Sequence, residues 1–73
     1  MIYTANNIFI SCLLLFYLRN RLKCPYITVM NSCGQWWVDI PKKPYWEYDF
    51  PQAPTETAAL AKAIKFLKEQ GEL

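Results

Sequence analysis

Three carboxylates, Asp39, Glu47 and Asp49, fall within eleven residues of a stretch that also holds Trp36, Trp37, Tyr45, Trp46 and Tyr48. Paired carboxylates can coordinate Mg²⁺ or move protons. Alternating strands also place acids outward as a matter of course, and a solvated face or a partner contact is the expected use here. The chain contains no His. That excludes Cys/His zinc sites and every His-based nucleophile or acid–base arrangement. Gly34 and Gly71 are the only glycines, too few for a phosphate-cradling loop. Cys12, Cys24 and Cys33 are odd in number, and their spacing matches no zinc or redox pattern. They read as small hydrophobes of a reducing cytoplasm. Neither catalysis nor a cofactor nor a metal is expected. The informative pair is Trp37 and Tyr45, large aromatics on what should be a polar strand face, as interface anchors often are.

The chain of 73 residues forms one domain at most, and so small a domain is marginal without a partner. Its hydrophobic content of 53% argues against disorder, and a net charge of +2 is too mild to imply direct nucleic-acid binding. A complex or a homo-oligomer is expected.

The elements that must position the aromatics and acids can be read in order. Residues 1–24 form an apolar segment in which Ile8–Leu18 is interrupted only by Ser11 and is followed by Arg19, Arg21 and Lys23. Three readings stay open for it: a buried or oligomer-forming helix, a membrane-spanning or membrane-lying anchor, and an extension without a role. Leu13–Leu18 is apolar on every helical face, so periodicity does not choose between them. Charge after the apolar run does not suit a secretory signal, and a span would leave the C-terminal part cytoplasmic.

Residues 25–73 read as a small strand–strand–strand–helix domain. Tyr26–Met30, Gln35–Ile40 and Tyr45–Phe50 are the expected strands, joined by an Asn31–Gly34 turn and a Pro41–Pro44 connection. Trp36, Val38 and Ile40 should share an apolar face with Trp46, Tyr48 and Phe50. The opposite face would carry Gln35, Trp37 and Asp39 beside Tyr45, Glu47 and Asp49. A helix should begin at Thr55, bury Leu60, Ala63, Ile64 and Leu67 against the Trp36/Trp46 face, expose Lys62, Lys65 and Lys68, and end at Gly71. The expected fold is therefore α+β: a three-stranded antiparallel sheet with one C-terminal helix packed on it, plus an apolar N-terminal helix.

Lys23-Cys-Pro25, Gly34-Gln-Trp-Trp-Val-Asp-Ile-Pro41, Pro44 and the helix opening Thr55-Glu-Thr-Ala-Ala-Leu-Ala resemble the N-terminal domain of HicB-type antitoxins over roughly Lys23–Leu73. The family's Leu-Pro-Gly-Cys stretch is here Lys43-Pro44-Tyr45-Trp46, and its Glu-Ala pair is Ala58-Ala59. The resemblance implies a degenerate ribonuclease-H-like half fold without catalytic acids, which binds and masks a small basic RNA-cleaving toxin. No DNA-binding domain follows within these residues, so operator binding is not expected.

The reading is thus of a non-catalytic, cytoplasmic protein-binding module of the antitoxin or small-inhibitor kind. Its contact face is Trp37, Asp39, Tyr45, Glu47 and Asp49, facing a basic, nucleic-acid-acting protein. The alternative is a small single-pass subunit of a membrane complex, anchored through Ile8–Leu18.

Overall fold

Pro25 and the residues just before it decide where the first element stops. In a computed structural model, which describes the backbone of residues 2–73 and the side chains of residues 9–73, helix α1 runs over Ile2–Leu22. It closes through Lys23 in the left-handed conformation, φ 53°. The amide of Cys24 then donates to the Arg19 carbonyl at 3.0 Å, and the Lys42 ammonium donates to the Leu22 carbonyl at 2.9 Å. Arg19 bonds the Ile27 carbonyl through Nε and Nη2 at 3.1 and 2.8 Å. The first two bonds satisfy carbonyls that a helix end leaves orphaned, and the Arg19 pair ties α1 to the residue that leads into the sheet. Among the described residues, no helix is long and apolar enough to cross a membrane.

Strands β1 (Thr28–Ser32) and β2 (Gln35–Asp39) pair antiparallel, with Val29 opposite Val38 and Ser32 opposite Gln35. The turn is Cys33-Gly34, with both φ values positive at 53° and 75°. Asn31 is not in it; Asn31 pairs with Trp36. The first strand therefore lies two residues later than Tyr26–Met30. Burial explains the register. It puts Ile27, Val38 and Ile40 inside and keeps half-buried Val29 against the core, and a slip of one residue would turn every one of these outward.

The third strand expected over Tyr45–Phe50 does not form, and the sheet has two strands. Tyr45–Glu47 is a 3-10 helix instead. Its amides are satisfied locally: Trp46 donates to Lys42, Glu47 to Pro44 and Tyr48 to Tyr45, at 3.1–3.2 Å. The place beside β2 is taken by Ala53, which makes a single antiparallel bridge to Trp36 with bonds of 2.7 and 2.9 Å. Pro51 and Pro54 flank Ala53 and carry no amide hydrogen, so the residues around the bridge are poorly suited to extending the ladder.

Helix α2 spans Glu56–Glu69. Thr55 caps it, accepting from the Ala58 amide at 3.2 Å. Gly71 (φ 79°) ends it, with Gly71 bonded back to Lys68 and Glu72 to Leu67, a Schellman-type closure. Leu60, Ala63 and Leu67 are fully buried, Ile64 is half-buried, and Lys62, Lys65 and Lys68 are exposed.

The helix does not pack on a Trp36/Trp46 face. Trp46 is 61% exposed, Trp36 is half-buried, and neither belongs to the core. The core joins Leu60, Ala63 and Leu67 to Ile27, Val38, Ile40 and Phe50, and to Leu18, Leu22 and Cys24 from the end of α1. Ser11, the lone polar residue of the apolar run, is buried where α1 meets α2, and its hydroxyl shares a 2.6 Å hydrogen bond with that of Thr57.

Candidate partner-binding pocket

The pocket begins with β2. Side chains alternate along a strand, so Trp37 and Asp39 lie on the face away from the core-directed Val38 and Ile40. Trp37 is half-buried and Asp39 exposed. The 3-10 helix supplies the facing wall. With three residues per turn, Tyr45 and Tyr48 fall on one side, and their rings meet edge-on at 6.3 Å between centroids. Tyr48 continues the edge-on contacts to Phe50 at 6.2 Å and Phe66 at 5.6 Å. This cluster joins the segment to α2. The aromatics that were to alternate across a strand pack as a three-dimensional group instead.

Between these walls lies a cavity of about 210 Å³ lined by Trp37, Asp39 and Ile40 on one side and by Tyr45, Trp46, Tyr48 and Asp49 on the other. Four of the five expected contact residues, Trp37, Asp39, Tyr45 and Asp49, line this one cavity. Glu47 does not; it is exposed. Trp46 and Tyr48 were expected on the opposite, core-facing side and are lining residues. The Pro41–Pro44 bracket before them and Pro51 after them were the available signal that the segment is a turn.

The floor of the cavity is the free edge of β2. Trp36 directs its N–H and C=O to Ala53, away from β1. By the two-residue period, Val38 directs its own pair to the same side. Among the described residues, no strand covers that edge beyond the Ala53 bridge.

The electrostatics concentrate on the two phenols. The Tyr48 hydroxyl donates to the Glu72 carboxylate at 2.8 Å. That bond is the first cause holding the Tyr48 phenol above its ordinary 10.0, followed by desolvation and the charge of Glu72. Tyr45 is pushed above 10.0 first by desolvation and then by Glu72. The facing wall therefore presents two neutral phenols at physiological pH.

The arrangement offers two carboxylates, aromatic rings and an unpaired strand edge around one small space. Those groups suit a cationic side chain, which carboxylates attract and aromatic faces stabilise. Among the described residues, no three acids or thiols come together as a metal site. Cys24 is buried in the core while Cys12 and Cys33 are exposed, and all three are free thiols. Comparison with protein-family models, curated proteins and solved structures finds no match to this chain.

Proposed function

We propose that this protein is a non-catalytic binding module of the antitoxin or small-inhibitor kind, and that it acts by seating a Lys or Arg side chain of a basic, nucleic-acid-acting protein in the pocket beside β2. The observation that carries this reading is the convergence of Trp37, Asp39, Tyr45 and Asp49 on one cavity. A cation entering there meets the Asp39 and Asp49 carboxylates against aromatic walls, and the free edge of β2 can pair with the partner's backbone. The resemblance to HicB-type antitoxins adds a class of partner, a small basic toxin. It rests on the Trp-bearing hairpin and the Thr55-capped helix. In this reading the protein works in the cytoplasm, where its three thiols stay reduced, and the acidic pocket does not favour nucleic acid directly.

Capture from a lysate with immobilised wild-type protein, followed by affinity measurement on the recovered partner, tests the proposal. Trp37→Ala and Asp39→Lys should each weaken binding by about thirtyfold, the effect of losing a central anchor of an interface. Glu47→Lys, outside the cavity, should have only a small effect. Unchanged binding of a basic partner by Trp37→Ala and Asp39→Lys overturns the reading.

A further inference from the structure

Over its described side chains helix α1 has two apolar sides, and among the described residues the fold uses one of them. Ser11, Leu18 and Leu22 are buried, and Leu14 and Leu15 pack against the core. The other side carries Phe9 at 65% exposure, Leu13 at 52% and Phe16 at 66%, flanked by Ile10. At about 100° per residue, Phe9, Leu13 and Phe16 fall within an arc of roughly 60°. The stripe runs directly into cations. Beside Phe16 lies a shallow hollow of about 520 Å³ lined by Arg19, Asn20, Lys23 and Pro25. The Arg19 guanidinium is held in place there by the Ile27 carbonyl. Arg21 sits over the Tyr17 ring, 5.7 Å from its centre. No acid precedes Asp39, so Arg19, Arg21 and Lys23 are unopposed in the first half of the chain.

We infer that this side of α1 lies on an anionic bilayer surface, with Phe9, Leu13 and Phe16 entering the headgroup–acyl boundary and Arg19, Arg21 and Lys23 meeting lipid phosphates. The charge decides the occupant. A bare apolar stripe would suit any greasy partner, but one continuous with three cations and no acid matches a surface that is apolar in depth and negative at its rim. A parallel second copy on the same stripe would bring two such cation clusters together. The helix lies in the plane of the surface, because its inner side is committed to α2 and the core. This inference is independent of the β2 pocket.

Co-sedimentation with vesicles tests it, using phosphatidylcholine alone and phosphatidylcholine with about a third phosphatidylglycerol. The protein should pellet with the anionic vesicles, weakly or not at all with the neutral ones, and less as salt rises. Phe16→Asp should lower binding by roughly tenfold or more, and the pair Arg21→Glu and Lys23→Glu should abolish the preference for anionic lipid. Both variants should keep the circular dichroism of the parent, since these side chains lie outside the core. Phe9→Ser repeats the test should Phe16→Asp disturb the fold. Two outcomes overturn the inference: a wild-type protein that stays in the supernatant with both vesicles, and a dimer in sedimentation velocity that Phe16→Asp dissociates while vesicle binding is absent.

Discussion

At the residue scale the hairpin turn shows how much side-chain chemistry a short sequence discloses. Asn31-Ser-Cys-Gly34 is recognisable as turn material, yet the turn sits at its end. After Gly34, Asn31 is the residue most at ease in the left-handed region, but it pairs across the sheet while Cys33 adopts φ 53°. Inward packing of Ile27, Val38 and Ile40 sets the register and overrides the local preference. A non-glycine residue at the first position of a two-residue turn of this kind is strained unless it is Asn or Asp. Cys33→Asn should therefore stabilise the protein by about 0.5–1 kcal/mol, seen as a higher urea midpoint with an unchanged slope. Tyr48 makes a pH prediction. Its folded phenol titrates above 10.0 because the neutral hydroxyl donates to Glu72. A raised folded value means that the contribution to stability is complete below the unfolded value and is lost as pH rises through the folded one. Thermal melts at alkaline pH should show stability falling above about pH 10, and Tyr48→Phe should flatten that fall.

At the element scale, what was legible is what local chemistry settles. Helix α2 announces itself by the Thr55 cap, the Leu60–Leu67 stripe and Gly71, all signals within a few residues of the backbone they control. The Tyr45–Phe50 segment has the alternation of a strand and becomes a turn. The Trp46, Glu47 and Tyr48 amides find partners within four residues, and Ala53, pinned between prolines, takes the position beside β2. Alternation reports only that apolar groups must be hidden. Here the Tyr48, Phe50 and Phe66 rings hide each other, at 5.4–6.2 Å between centroids. The pocket was accordingly half legible: the Trp37 and Asp39 wall follows from strand period, while the placement of Trp46 and Tyr48 depends on tertiary packing. Helix α1 was legible as a helix but not as to which side faces in. Leu18 is fully buried in the shared core, so Leu18→Ala should cost about 2–5 kcal/mol, a loss that chemical denaturation will read and that an accessory helix would not give.

At the scale of the whole molecule, the apolar N-terminal segment is structural as well as exposed. Leu18, Leu22 and Cys24 close the same core that α2 and β2 form, and the Arg19 and Lys42 side chains stitch the end of α1 to the sheet. A chain beginning at Lys23 leaves that core open along one side. It should lose cooperative thermal unfolding and precipitate on expression; a soluble, cooperatively melting fragment would contradict this. The 2.6 Å bond between Ser11 and Thr57 has a consequence of its own. Around a cylinder that is greasy on all sides, dispersion alone distinguishes poorly among rotations about its axis. One hydroxyl seated against another biases that choice, because a rotated helix forfeits the hydrogen bond between them. That pair of oxygens thereby joins the buried leucines in deciding which aromatic rings the molecule shows to the outside world.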